Sequence, residues 1–549
     1  MALEFEHVTA APVSPLATEH MVRMRDGARL ATDVYLPDGL DGATEAVLVR
    51  LPYDKCGDYC FMPRLAPLFT AQRYAFVVQD VRGKFRSEGD DIPFVNEVLD
   101  GYDTLEWIVG QPWSNGRVGM FGDSYYGYTQ WACVASGHPA LRAICPRCTG
   151  ADVVDLPRPG SDEVPLMLMA SYLAEHWVGR DAYDFEIDWT PRPLLDVFEP
   201  IWEALGGRSH GFDLSYPHPV PLRRFPTGHP FDARPVPMLQ TMGWFDNIAP
   251  WQWHDHERLA RRPDWSRVEY LHIDAVDHEI YHHADTPITE ATDHDVNPAA
   301  LDALLPRYVT PALEFFDVFL RESRPLDSLP KVRWRPVNGD WKSAESWPPP
   351  GAVTRTLYLG PGTLAEEPPE ASEASWTHDP EDLVPSKVDN PFAFLQRYPD
   401  ERAYEERDDV VAFSASPVDE LLELAGPIEL TAVVRSTGPV MDVFARLLDV
   451  DPDGAARYVA RGQVVVEPGN EDTLVRISLC HTGYLLRPGH ALRLHLFGSD
   501  FPEFVPNPGT GENRWLASET RTNEQTVRLG GSEPARLTIT VLPPPARVG

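Results

Sequence analysis

Lysine is almost missing from this chain of 549 residues, standing only at positions 55, 84, 331, 342 and 387, so nearly all of the 48 basic residues are arginine. Set against 83 aspartates and glutamates, they leave a formal net charge of −35, which excludes nucleic acid as a natural partner because a phosphate backbone would be repelled. We read the excess as a solvated acidic surface on a lysine-poor chain, since net charge bears on solubility before it bears on any one site; salt adaptation or a preference for cationic substrates is the competing reading. Cysteine is scarce as well. Six residues are too few for a disulfide framework at this length. The pairs Cys56/Cys60 and Cys145/Cys148 have unlike spacing, a poor zinc signature, and read as reduced thiols near the ends of buried strands. No stretch approaches the roughly 18 apolar residues that span a bilayer, so no membrane partner is expected. Met1 to His20 carries acidic residues and no continuous apolar run, which argues against a secretory leader and for a cytoplasmic location. Internal repeats and long low-complexity tracts are absent too.

What is present describes a globular protein, with 43% hydrophobic and 24% charged residues, and a length that suggests three or four structural units. Residues 20–149 alternate apolar runs with helix-patterned stretches: Ala46 to Leu51, then Tyr74 to Val78, then Val98, Tyr102, Leu105 and Ile108 at helical spacing. Strand, helix, strand in this order predicts a parallel sheet covered on both faces. From Ala151 to Pro235 strand-like runs are missing. Met167, Leu168, Tyr172, Leu173 and Trp177 recur at helical intervals, as do Leu194, Leu195, Phe198 and Trp202, which predicts a helical insertion lying over the sheet as a cap. Strand patterns resume at Val236–Thr241 and Val268–Ile273, and Thr310 to Leu320 makes a last helix. Beyond Trp347-Pro348-Pro349-Pro350 the text becomes short apolar runs between Gly, Pro, Asp and Asn clusters, the signature of an all-β sandwich.

The chemistry concentrates at Gly122-Asp123-Ser124-Tyr125-Tyr126-Gly127. An apolar strand, Arg117 to Phe121, runs into this segment, and a breaker-free helical stretch leaves it. That is how a hydrolase exposes a serine on a strained strand-to-helix turn, with small residues letting the helix approach the strand. The spacing departs from the common form by one place, since Tyr126 stands where the second glycine is usual and Gly127 follows it. A serine that only caps the next helix is the competing reading.

Further segments carry a resemblance. Leu51-Pro52-Tyr53-Asp54-Lys55, Asp80-Val81-Arg82-Gly83 with Ser87-Glu88-Gly89, the serine segment, Gly243-Trp244-Phe245-Asp246 and Asp274-Ala275-Val276-Asp277-His278 follow one another along the chain. So do Asn338-Gly339-Asp340-Trp341, Pro488-Gly489-His490 and Gly498-Ser499-Asp500-Phe501-Pro502. In this order they resemble the cocaine esterase and X-prolyl dipeptidyl peptidase family of α/β-hydrolases over nearly the whole chain. The resemblance implies an α/β-hydrolase sheet over residues 1–150 and 236–347, a helical cap insertion over 151–235, and a C-terminal jelly roll of the galactose-binding-like kind over 348–549.

It also implies residue roles. A serine needs a base to become a nucleophile, and the base needs an acid to fix its tautomer. The chain order serine, acid, histidine suits an α/β-hydrolase and gives Ser124, Asp246 and His278 as the catalytic set. His282 is the alternative base, because this chain has Asp274-Ala275-Val276 where the family usually carries Gly-Pro-Trp. The oxyanion of acyl transfer needs fixed donors. The backbone N–H of Tyr125 is one, and the family's use of the tyrosine in its Pro-Tyr segment implies the Tyr53 hydroxyl as the other. Trp244, Phe245 and Tyr126 flank these positions and are expected to bind substrate, with Trp177, Trp189 and Trp202 in the cap. The acidic cap segment Asp181, Asp184, Glu186 and Asp188 offers a place for an ammonium group, although a solvated face explains it too. His278, His282 and His283 could be imagined on one metal, but neither metal nor cofactor is expected. The expected activity is hydrolysis of a small-molecule ester or amide through an acyl-enzyme, most naturally a carboxylic or amino-acid ester. An Xaa-Pro dipeptidyl peptidase, an acyltransferase, and a noncatalytic carbohydrate- or partner-binding protein are the alternatives. The large β-sandwich leaves room for a homo-oligomer.

Overall fold

The computed structural model describes residues 3–153, 166–388, 390–467 and 471–543. Among the described residues, twelve strands precede residue 350: β1 (Phe5–Val8), β2 (Thr18–Arg23), β3 (Arg29–Tyr35), β4 (Thr44–Leu51), β5 (Ala75–Asp80), β6 (Ser114–Asp123), β7 (Leu141–Arg147), β8 (Ala182–Phe185), β9 (Met238–Gly243), β10 (Glu269–Asp274), β11 (Val332–Trp334) and β12 (Lys342–Ala344). Ten of them form one sheet in the order β12-β11-β10-β9-β7-β6-β4-β5-β3-β2. From β11 through β5 every pairing is parallel. Both edges end antiparallel.

The central strands are apolar on both faces because both faces are covered. Val47, Val49 and Leu51 of β4 pack with Leu65 and Phe69 of α1 (Met62–Ala71) and with Phe315 and Phe316 of the helix Pro298–Phe319. The alternate residues Ala46 and Leu48 join Leu105 and Ile108 of α2 (Glu97–Val109) and Trp131 of α3 (Ser124–Ser136). The strand period of two thus sorts one run into two helix-covered layers.

The cap contains a π-helical turn at Leu166–Ser171 and short helices at Tyr172–His176, Glu199–Leu205 and His210–Ser215. Residues 154–165 of the expected insertion lie outside the described residues. One feature departs from the helical expectation: β8 lies in the cap and pairs antiparallel with β1. Four residues, Ala-Tyr-Asp-Phe, are too short to show a period, and their partner lies far from them in sequence, near the N-terminus.

Two of the five lysines are buried; Lys55 fixes a loop of the α/β sheet, and Lys84 ties the cap to it. Lys55 pairs with Asp33 at 2.8 Å and Glu19 at 2.9 Å. Lys84 donates to the carbonyls of Gly179 at 3.0 Å and Asp181 at 2.9 Å, and to that of His176, over the Trp177 ring. The acidic surplus therefore does not reach these positions as solvated charge; the lysines here work as clamps.

Beyond residue 350, an eleven-stranded antiparallel-dominated sheet runs from Val353–Gly360 to Arg536–Leu542. Its long strands Leu422–Ser436, Ala456–Val466 and Ala491–Phe497 contain the short apolar runs Ile428 to Val434, Gln463 to Val466 and Leu492 to Phe497, which read as strands in the sequence. It seats closely on the catalytic half: a Cβ at Gly483 would lie 2.6 Å from the Trp244 ring, and His481 stacks on Trp253 with centroids 4.2 Å apart.

Replacing Lys84 by methionine strips three cap carbonyls of their donor. We expect a loss of about 1–3 kcal/mol in denaturant stability, with increased proteolytic cleavage between residues 166 and 215. Unchanged protease resistance of the folded variant would show that the clamp is dispensable.

Candidate active site

Ser124 sits at the carboxyl end of β6, where the chain turns into α3. Its φ is 49°, in the left-handed region that a non-glycine residue enters only under constraint. The constraint comes from both sides. Gly122 has a φ of 139°, and a Cβ there would lie 2.0 Å from the Tyr126 ring; a Cβ at Gly127 would lie 2.6 Å from Thr149 Cγ2. The one-place shift of the second glycine thus has a cause: position 127 is the helix face that meets the residues after β7, while Tyr126 folds back over Gly122.

Asp246 and His278 arrive from the ends of β9 and β10. His278 Nδ1 lies 2.8 Å from Asp246 Oδ1, and the same oxygen accepts the N–H of Ile248 at 3.1 Å. Burial pushes the His278 imidazole down, but the Asp246 carboxylate, through its charge and its hydrogen bond, more than offsets this, and Glu279 adds to it. The net effect is a raised pKa. His278 and Ser124 both line one cavity of about 1110 Å³ that opens beneath the cap. His282 turns elsewhere, with Nε2 3.5 Å from Asp274 Oδ2, and His283 stacks on Phe245. The three histidines therefore do not converge. Among the described residues, the group with three possible metal-ligating atoms close together is Cys148, Asp246 and His278, within 4.8 Å of one another. Burial holds the Cys148 thiol well above its ordinary pKa, so the site favours a neutral thiol over a thiolate ligand.

Tyr53, Tyr125 and Tyr126 line the same cavity. The Tyr53 hydroxyl stands 3.4 Å from that of Tyr172, and burial raises its pKa well above the usual value, so it remains a proton donor. The Tyr125 side chain is committed elsewhere, donating to Glu97 at 2.9 Å and accepting from the Phe94 N–H at 2.8 Å. Its backbone N–H belongs to the first turn of α3, where no helical acceptor exists.

Trp244 and Phe245 correct the sequence-based expectation. Neither lines the cavity with Ser124. Trp244 packs with Trp253 and Trp347 and donates from Nε1 to the Arg335 carbonyl at 2.8 Å, while Phe245 lies among Phe394, Tyr398 and Tyr458. The turn after β9 aims Asp246 at His278, and the two residues before it face the all-β region. Of the cap aromatics, Trp189 lines the cavity, whereas Trp177 and Trp202 are buried beside it.

A profile described as X-Pro dipeptidyl-peptidase (S15 family) matches residues 26–185, and one described as X-Pro dipeptidyl-peptidase C-terminal non-catalytic domain matches residues 325–538. Cocaine esterase of Rhodococcus sp. (strain MB1 Bresler) is 29% identical, with 96% of this chain and 98% of that protein aligned. The chain belongs to the cocaine esterase and X-prolyl dipeptidyl peptidase family. It is a serine hydrolase of that family. Two solved structures share the fold at 22% identity: an aminopeptidase from the marine sediment archaeon Thaumarchaeota archaeon, with TM-score 0.79, and an α-amino acid ester hydrolase, with TM-score 0.75. Each alignment covers 97% of this chain and 98% of the other. No described helix of this hydrolase is long and apolar enough to cross a membrane.

Several residues at the site escaped sequence reasoning. Phe392 packs its ring edge against His278 with centroids 5.1 Å apart, yet it comes from beyond the Pro-rich boundary at 347–350 and carries no local signal. Glu279 lines the cavity and accepts from the Tyr59 hydroxyl at 2.9 Å; its position directly after His278 could have drawn attention to it. Asp184 and Glu186 of the acidic cap segment line the cavity with Glu175, whereas Asp181 pairs with His7 at 2.8 Å. Burial, reinforced by Asp184, pushes the Glu175 carboxyl up to about 7.

Asp246→Asn removes the charge that holds the His278 pKa up. An NMR titration of the imidazole should place its pKa in the variant below that of the parent. An unchanged value would show that Asp246 does not control it.

Proposed function

We propose that this hydrolase cleaves a carboxylic or amino-acid ester by acyl transfer to Ser124, with His278 as general base and Asp246 as its orienting acid. The observation that supports this best is the pairing of a strained serine turn with an Asp246-bound imidazole on one cavity wall. With Nδ1 engaged by Asp246, the remaining nitrogen, Nε2, is the one to take the Ser124 proton. Ser124 Oγ then bonds to the substrate carbonyl carbon, and the carbonyl oxygen becomes an anion received by the Tyr125 N–H and the Tyr53 hydroxyl. Collapse expels the alkoxide, which takes the proton from His278. Water repeats the sequence, breaking the acyl-serine bond and releasing the acid. No step calls for a cofactor.

Tyr126, Met169, Ile248, Leu301 and Phe392 give the cavity apolar walls suited to an acyl or aromatic group. Glu175, Asp184, Glu186 and Glu279 give it an acidic flank, which favours a substrate that also carries an amine. In the same reading the chain divides at 150, 235 and 347 into catalytic, cap, catalytic and jelly-roll parts. Amide substrates, including Xaa-Pro peptides, would use the same residues. An acyltransferase would show transfer to an added alcohol or amine in preference to hydrolysis. A noncatalytic binding protein would turn over none of the substrates.

A screen of p-nitrophenyl esters, amino-acid esters, aromatic esters and Xaa-Pro anilides, with Ser124→Ala as the blank, tests the assignment. Turnover is expected on esters above anilides and is expected to vanish in the blank; activity that survives Ser124→Ala overturns the reading. Tyr53→Phe should lower kcat by about 10²–10³-fold, equivalent to about 2.7–4 kcal/mol of oxyanion stabilisation. Wild-type turnover by the folded variant would remove Tyr53 from the mechanism. Because the base must be neutral and its pKa is raised, activity should fade as pH falls through a value above the ordinary histidine value of about 6.5. A fade centred below that value would point to another base.

A further inference from the structure

Asp123 is the residue just before the nucleophile and the N-cap of α3. Its backbone, at φ −108° and ψ 161°, has the extended geometry of a capping residue, and aspartate is among the residue types that cap best. An N-cap carboxylate ordinarily accepts from the N–H of the second or third helical residue, here Tyr125 or Tyr126. Yet Asp123 makes no such bond.

The reason lies on the neighbouring strand. β6 and β7 run parallel with Asp123 in register with Arg147, and Arg147 Nη1 takes Asp123 Oδ2 at 2.6 Å. Both side chains are more than nine-tenths buried. The Arg147 guanidinium lies 5.6 Å from the Tyr308 ring centroid, and the Tyr308 hydroxyl faces the same carboxylate. The fork also reaches the histidine loop: Nη2 donates to the Asp277 carbonyl at 3.2 Å, and Nη1, shared with Asp123, lies 3.4 Å from the carbonyl of His278.

We infer that Arg147 is a positioning residue that draws the Asp123 carboxylate off the end of α3, so that the Tyr125 N–H stays open to the substrate oxyanion. A capped helix would be locally more stable and would have that donor occupied by a carboxylate, which also repels the developing negative charge. The cap interaction is thus exchanged for a buried ion pair, and the pair ties the nucleophile turn to the loop bearing His278. The inference rests on the proposed role of the Tyr125 N–H and on Ser124 as nucleophile.

The test is rescue by a second deletion. Arg147→Met frees Asp123 to cap, and kcat on an ester should fall about 10²-fold, the scale of losing one oxyanion donor, while KM changes less than about threefold. Adding Asp123→Ala removes the intruding carboxylate, so the double variant should regain at least about tenfold in kcat; relief of an unpaired buried charge would restore stability instead, so the gain must appear at a temperature where the single and double variants are both fully folded. If Arg147→Met does not fold, Arg147→Lys carries the same comparison. Its single ammonium cannot hold the carboxylate and both carbonyls together, and the smaller loss of about tenfold should likewise be returned by Asp123→Ala. Parent-like kcat in either Arg147 variant, or no gain on adding Asp123→Ala, overturns the inference while leaving the nucleophile assignment standing. Activity persisting in Ser124→Ala strikes the underlying reading instead.

Discussion

The left-handed backbone of Ser124, at a φ of 49°, is the constraint on which the site depends. Holding a non-glycine residue there costs about 1–3 kcal/mol, and the chain sustains it by close packing instead of local preference. Gly122 leaves no room for a Cβ beside Tyr126, Gly127 leaves none beside Thr149, and the parallel pairing of β6 with β7 fixes the strand that delivers the turn. The left-handed turn at β6 places the serine at the carboxyl edge of the sheet, where β9 and β10 deliver Asp246 and His278. In an open parallel sheet this edge is where loops from successive strands meet, so the loops that carry these three residues, far apart in sequence, come to one end of the sheet.

Electrostatics then sharpens what topology assembles. His278 sits between opposing influences, since burial disfavours its charge while Asp246 and Glu279 favour it and Arg147 opposes it. Charged groups that would be costly alone are retained because each is paired: Arg50 with Glu97 at 2.8 Å, Arg147 with Asp123 at 2.6 Å, Arg446 with Glu401 at 2.8 Å. Arginine suits these positions because its planar fork can serve two or three acceptors at once. The near-absence of lysine therefore does not deprive the interior of cations.

Much of this was legible in the sequence. Alternation of strand and helix patterns gave the parallel sheet, because apolar period and breaker placement are local properties. The Ser124 turn, Asp246 and His278 were legible through their order and through family motifs. Trp244 and Phe245 were not correctly read, because adjacency to Asp246 along the chain says nothing about which side of the turn faces the cavity. β8 was missed because four residues carry no period, and its partner β1 is distant in sequence, near the N-terminus. Phe392 and the Arg147–Asp123 pair were beyond reach for a related reason: strand register and domain docking create them, and neither is written in any short window.

The most direct measurement is to treat the intact protein with a fluorophosphonate probe and map the adduct by peptide mass spectrometry, in the parent and in His278→Ala. The account predicts one adduct, on Ser124, formed in step with loss of esterase activity and strongly slowed in His278→Ala. An active protein whose Ser124 stays unmodified, or equal labelling rates in the two proteins, would contradict it.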